Sequence, residues 1–216
     1  MKLTLTLAAA AITVLTAATD VVPPKKSTKS TLTKSAVIAA NPVVFKADTK
    51  ASKLTWAAKK ATGDHSGNVS IIDGSFTLEG SAIKAGAFEI DTRTITDTDI
   101  ADQESNAKLV THLKSADFFS AEAHPKAKFV LTSATKGAGN TYDVKGNLTI
   151  KGITNPVSFP ATIAVAGKKL TANAKITIDR TKYDIKLRSK NFFENLGDKV
   201  IYDDFDINVA LVANAL

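Results

Sequence analysis

The chain has 216 residues, 44% of them hydrophobic and 6% aromatic, no cysteine, a single methionine at its start and a formal charge of +7. The missing cysteines exclude disulfides and a thioether-linked lipid anchor, and the missing internal methionines exclude a Met-rich adaptable surface or a Met metal site. Five lysines against one aspartate in residues 1–40 carry more than half of the excess charge. The remaining 23 basic and 20 acidic residues make an ordinary mixed surface rather than the basic stripe of a nucleic-acid binder.

Residues 1–18 read as an export signal, with Lys2 as a minimal basic start, an apolar run from Leu3 to Leu15, and the small residues Thr16-Ala17-Ala18 before a cleavage point. The run falls short of the roughly 20 apolar residues of a membrane span and ends in Asp20 and Pro23, so no transmembrane segment is expected after cleavage. The expectation is an exported protein, periplasmic or otherwise. Residues 19–41, rich in Thr, Ser, Lys, Pro and Ala, read as a disordered, solubilising tether. The folded domain is expected over 42–216.

From there the dominant signal is alternation. Lys53 to Ala58, Ser75 to Leu78, Ala87 to Asp91, Ala127 to Ser133, Tyr142 to Val165, Leu170 to Ile178 and Asp204 to Leu211 alternate apolar with polar side chains. Successive side chains on a strand point to opposite faces, so each run is a strand with one wet and one apolar face. A sheet that hides one face without covering helices must pack on another sheet or curl onto itself, and nothing here repeats a βαβ unit. Gly63, Gly67, Gly74, Gly80 and Gly86 are taken as punctuation of the first half, and 136–140 and 166–168 as glycine hairpin turns. One segment departs from the pattern. From Asp102 to Ser115, Leu109, Leu113 and Ala116 recur at helical spacing, with Asp99 or Asp102 as N-cap, and Phe118-Phe119 follows as an aromatic plug returning to the interior. A second aromatic pair, Phe192-Phe193, lies in a polar loop and is read as an anchor of that loop to the core.

No catalytic constellation emerges. His65, His112 and His124 have no metal-ligand spacing to one another, and each reads as a hydrogen-bonded surface or helix-end residue. The Gly-x-Ser-x-Gly elbow and the phosphate-binding glycine loop are missing. Asp97, Asp99 and Asp102 fail the EF-hand pattern, with Ala101 at its fifth position, and are assigned to helix capping. Asp203, Asp204 and Asp206 are assigned to solvent. No catalytic residue, metal or cofactor is therefore expected.

The motifs His112-Leu-Lys-Ser-Ala-Asp-Phe-Phe119, Pro125 with Phe129, Val144-Lys-Gly-Asn-Leu-Thr-Ile-Lys-Gly-Ile-Thr-Asn-Pro-Val157 and Ile178-Asp-Arg180 resemble, in order and spacing, the signatures of the YceI-like family. The resemblance runs from about Val43 to Ala213. It implies an all-β fold, an antiparallel eight-stranded lipocalin-like barrel with one short helix, exported to the periplasm and binding a long polyisoprenoid or similar lipid inside. One departure is plain: many members open with Asp-x-x-His-Ser, whereas Asp48-Thr-Lys-Ala-Ser52 places Ala51 at the histidine.

In such a barrel, alternation turns inward Leu54 and Trp56, then Val69, Ile71, Phe76 and Leu78, then Phe88 and Ile90, then Phe129 and Leu131. Further along it turns inward Leu148 and Ile150, Val157, Phe159 and Ile163, Ile176 and Ile178, and Ile207 and Val209, with Phe118, Phe119, Phe192 and Phe193 added from the loops. These are the expected ligand contacts. A carrier of an isoprenoid or other long-chain lipid is the leading expectation. A solid-core barrel serving as an interaction or stress-related module reads identically in periodicity, and a lipid or small-molecule enzyme using the histidines is the third reading. The sequence leaves open a homodimer through an outer strand face, and no apolar stripe there demands one.

Overall fold

The structure is a computed structural model that describes residues 41–216; the expected signal segment, and all but the last residue of the expected tether, lie outside the described residues. Nine strands follow in chain order: β1 (Val43–Ala47), β2 (Lys53–Lys60), β3 (Gly63–Glu79), β4 (Ala82–Asp97), β5 (Lys126–Lys136), β6 (Thr141–Ile150), β7 (Ile153–Ala166), β8 (Lys169–Asp179) and β9 (Ile201–Ala215), with one helix, α1 (Gln103–Lys114), between β4 and β5. From β2 to β9 each strand pairs antiparallel with the next, and β9 returns to β2, closing eight strands into a barrel without a free edge.

The ninth strand does not enlarge the ring. β1 pairs with the end of β3 (Phe45 opposite Phe76) and with the end of β9 (Phe45 opposite Ala215), and β2 lies between the same two neighbours further along. The two pieces share one slot in the wall, interrupted at residues 48–52. There Asp48 Oδ1 accepts from the amides of Lys50 and Ala51, while the Ser52 hydroxyl donates to the Val212 carbonyl and accepts from the Val212 amide. Two side chains thus stand in for the missing ladder bonds, and the absent histidine at Ala51 takes no part in closing the break.

Strand phase is set by turns and bulges that local alternation blurs. The run from Tyr142 to Val165 is two strands, not one. Lys151 and Gly152 adopt positive φ (50° and 76°) and form a two-residue hairpin, which is why the inward residues switch from even numbers (Val144, Leu148, Ile150) to odd (Val157, Phe159, Ile163). In β3 the inward set switches from Val69 and Ile71 to Phe76 and Leu78 across a register shift between Ile71 and Asp73. Gly67, Gly74 and Gly86, expected as punctuation, lie inside β3 and β4. Their role is steric: a Cβ on Gly74 would stand 2.1 Å from the Phe88 ring, and one on Gly67 would stand 1.8 Å from the Thr96 carbonyl oxygen.

The ends of the barrel differ. At one, short turns at 80–81, 137–140 and 167–168 bring Phe45, Leu78, Ile83, Tyr142, Leu170 and Ala213 into a continuous buried cluster, with Leu170 and Ala213 at 0% exposure. At the other, α1 and the segment 180–200 lie over the rim, and Phe118, Ile150, Tyr183, Ile185 and Phe205 form a second cluster. Asp102 caps α1 by accepting from the Ser105 amide, as expected for one of its two proposed caps.

Candidate binding cavity

The two clusters share Ile90, Phe129 and Ile207 along the wall, yet they do not fill the interior. A cavity of about 220 Å³ runs inside the wall, lined from every strand of the ring and from Leu113, Phe118 and Phe119 beneath α1. For scale, a buried apolar cavity of about 150 Å³ admits a benzene molecule, so this space accepts about nine carbons without rearrangement. Small and large residues share the lining: Ala172 and Ala174 on β8, Ala161 on β7 and Ala134 on β5 lie around the cavity with Phe76, Phe88, Phe129 and Phe159, and these rings pair with one another, Phe76–Phe88 edgewise (4.8 Å between centroids) and Phe129–Phe159 tilted (5.7 Å).

The structure places Leu54, Trp56, Val69, Ile71, Phe76, Phe88, Ile90, Phe129, Leu131, Leu148 and Ile150 around this cavity. It does the same for Val157, Phe159, Ile163, Ile176, Ile178, Ile207, Val209, Phe118 and Phe119. Three expectations are corrected. Leu78 points inward but belongs to the filled end, where it is buried below the cavity floor. Phe192 and Phe193 are not core anchors: they stand 51% and 46% exposed on the segment before β9, because that segment is fastened by polar bonds instead. Sequence reasoning also missed short or polar lining residues such as Ala58, Thr92, Ala127, Arg180 and Tyr202, and apolar ones such as Ile95, Val144, Ile185 and Phe205. Alanine carries little pattern weight, and Arg180 is charged, so neither registers as part of an apolar face.

Arg180 explains how the capped end holds together. Its side chain is 5% exposed, and its guanidinium donates to the carbonyls of Ile185 (2.7 Å), Ile201 (2.9 Å) and Tyr202 (3.1 Å) and reaches Asp203 at 3.3 Å. Burial lowers its pKa, with Asp203 and Asp179 opposing the change. Asp203 in turn accepts from the Ser189 hydroxyl and the Asn191 amide, so it is a structural acceptor rather than a solvated charge. Asp206 likewise accepts from Thr177 Oγ1 and pairs with Lys175. Beside them Tyr183 is 2% exposed, and burial pushes its phenol up to about 12.

The histidines sit apart from one another in their contacts. His112 pairs with Asp117 at 3.2 Å and rests edge-on against Phe118, His124 lies against Gly152, and His65 pairs with Asp99 at 2.9 Å. None of the three lines the cavity. Asp97 and Asp99 do not cap α1, contrary to expectation; their bonds run to Ile100, Asn106, Ser66 and His65.

A closed, up-and-down antiparallel barrel with an apolar-lined interior and a helical cap is a lipocalin-like architecture. The YceI-like domain family matches residues 45–213, and the chain belongs to that family. Among curated relatives, a UPF0312 protein of Pseudomonas putida (strain W619) is 35% identical over 121 residues, 53% of this chain and 60% of that protein. One of Pectobacterium carotovorum (strain PC1) is 31% identical over 132 residues, 61% of this chain and 65% of that protein. The matched stretch thus spans less than two thirds of these relatives' length. In fold the chain is similar to Burkholderia cenocepacia BcnA (TM-score 0.61, 24% identity, 78% of this chain and 99% of that one). It is also similar to a polyisoprenoid binding domain from Saccharophagus degradans implicated in plant cell wall breakdown (TM-score 0.59, 14% identity, 80% and 98%).

Proposed function

We propose that this protein is a carrier that takes up one long apolar chain, a polyisoprenoid or similar lipid, inside its barrel, and that it works outside the cytoplasm in the cell envelope. The observation that carries the reading is the 220 Å³ cavity, lined almost wholly by aliphatic and aromatic side chains. The description of the Saccharophagus degradans relative as a polyisoprenoid binding domain supports the ligand class, and the signal-like residues 1–18 support the compartment.

The chain enters tail first through the capped end. The opposite end is plugged by Leu170, Ala213 and Phe45, whereas closure under α1 rests on Leu113, Phe118 and Phe119 at the cavity's own edge. About nine buried carbons gain about 7 kcal/mol relative to water, at about 0.8 per carbon. Relative to a bilayer the same carbons gain little, because lipid tails are already apolar, so the preference rests on close packing against the rings. Reversible exchange with membranes follows, and a longer chain extends past the cap rather than deeper into the barrel. No chemical step is assigned; the side chains in contact with the cavity offer no paired acid and base.

The test is organic extraction of the purified protein followed by mass spectrometry, beside titration with a fluorescent fatty-acid probe. An isoprenoid or long-chain lipid in the extract, and probe binding that Ala174→Trp weakens at least tenfold, are the expected results. An empty extract together with no probe binding overturns the reading.

A further inference from the structure

At the capped end, but outside the cavity, the topology brings together three groups far apart in sequence. His65 lies near the start of β3, Asp97 ends β4, and Asp99 begins the connection to α1. One ligand atom from each lies within 4.8 Å of the other two. We propose that His65, Asp97 and Asp99 form a binding site for a first-row divalent cation of the zinc type, fastening the root of the helical cap to β3.

Two features bear on the site, and the first of them points to a ligand rather than a mere collection of charges. The first is an orphan: Asp97 is 7% exposed, and among the described residues its Oδ2 is the one buried side-chain oxygen without a hydrogen-bond partner. Its other oxygen is fully occupied, accepting from the Ile100 amide (3.0 Å) and Asn106 Nδ2 (3.0 Å), which leaves Oδ2 free beside His65 and Asp99, whose ligand atoms lie within 4.8 Å of one from Asp97. Buried carboxylate oxygens are almost always paired, and a cation is one of the few partners that satisfies two facing carboxylates at once. The second is spacing. His65 Nδ1 and Asp99 Oδ2 are 2.9 Å apart, a direct hydrogen bond, and two ligands at about 2.1 Å from a tetrahedral ion are about 3.4 Å apart, so an ion enters by parting this pair by about 0.5 Å.

The donors around the ligands already fix their orientation. Asn106 holds Asp97, and the Ser66 amide donates to Asp99 Oδ1 at 2.6 Å, the kind of outer bonds that orient metal ligands. One imidazole nitrogen with two carboxylate oxygens suits zinc and its neighbours and leaves positions for water; calcium and magnesium favour all-oxygen sets. Burial, with the neighbouring Asp99 charge, raises the pKa of Asp97, while for Asp99 the opposing effect of burial is outweighed by the Ser66 amide and His65, leaving it below the usual carboxylate range.

The experiment is isothermal titration of Zn²⁺ alone into the chelator-treated protein, with thermal unfolding followed in parallel. One ion per chain is expected, together with a raised unfolding midpoint. His65→Gln and Asp97→Asn, each checked for an intact fold by circular dichroism, should weaken binding by at least about tenfold, while His112→Gln should leave it unchanged. Binding no tighter in the wild type than in His65→Gln, or binding lost in His112→Gln, overturns the proposal.

Discussion

The two ends of this barrel are closed by different physics. The plugged end is sealed by apolar contact: tight hairpins carry Leu170, Ala213 and Phe45 to complete burial, and β1 fills the last slot in the wall. The capped end has an apolar cluster of its own and adds polar fastening to it. Arg180 gathers three carbonyls, Asp203 holds Ser189 and Asn191, and Lys151 Nζ reaches the carbonyls of Ala116 and Asp184 at 3.2 Å each. Apolar burial is non-directional and gives way only when surface is exposed, whereas a hydrogen-bonded clasp can open one bond at a time with water as the substitute partner. An end that must admit a ligand is better built the second way, while the first resists opening.

The comparison can be broken from either side. Leu170→Ala should cost about 3 kcal/mol of global stability in urea unfolding, the usual toll of a buried cavity, and leave probe affinity nearly unchanged because Leu170 does not reach the cavity. Arg180→Met should cost a similar amount or slightly less, about 2 to 3 kcal/mol, because three carbonyls lose their donor. Its mark should be local: hydrogen exchange should accelerate over 180–203 while β6 and β7 stay protected. Equal acceleration everywhere would erase the distinction drawn between the ends.

Gly74→Ala tests the wall between them. Its new Cβ would meet Phe88 at 2.1 Å, so the ring must swing into the lumen. About 1 to 2 kcal/mol of destabilisation, with weakened probe binding, is expected. A gain in stability would show that the void relaxes freely.

The smallest effect concerns pH. The folded state raises the pKa of Asp97 above 3.8, so its contribution is fully present below that value and is lost as pH rises through the folded pKa. Asp91, lowered mainly by its bond from Arg93, works in the opposite sense: its contribution is present above 3.8 and lost as pH falls through the folded pKa. In metal-free protein, protection of the Asn106 amide should therefore decline as pH rises through the raised Asp97 pKa, and Asp97→Asn should flatten that decline. Protection that rises with pH across the same interval would contradict the assignment.

How much of this was legible locally depends on phase. The wall of the barrel was readable because a half-buried strand repeats every two residues, and Phe129 with Leu131 or Ile207 with Val209 needed no partner to declare their side. The Lys151–Gly152 hairpin was hidden in a run whose alternation looked continuous, though its inversion of phase was present in the numbering. Phe192 and Phe193 misled because an aromatic side chain in a loop carries apolar area that ordinarily seeks the core, and no local signal announced that Arg180 and Asp203 had taken over the fastening.

The sequence alone determined that this protein has an antiparallel wall with one apolar face, a helix capped at Asp99 or Asp102, and the motif order of the YceI-like family. Only the tertiary structure decided that the apolar face encloses a hollow, that the ends close by different means, and that His65 meets Asp97 and Asp99. The reason is geometric. Periodicity records which side a residue faces, but the size of a gap and the convergence of distant side chains depend on what stands across the lumen or the next strand, and one strand's pattern carries no information about that.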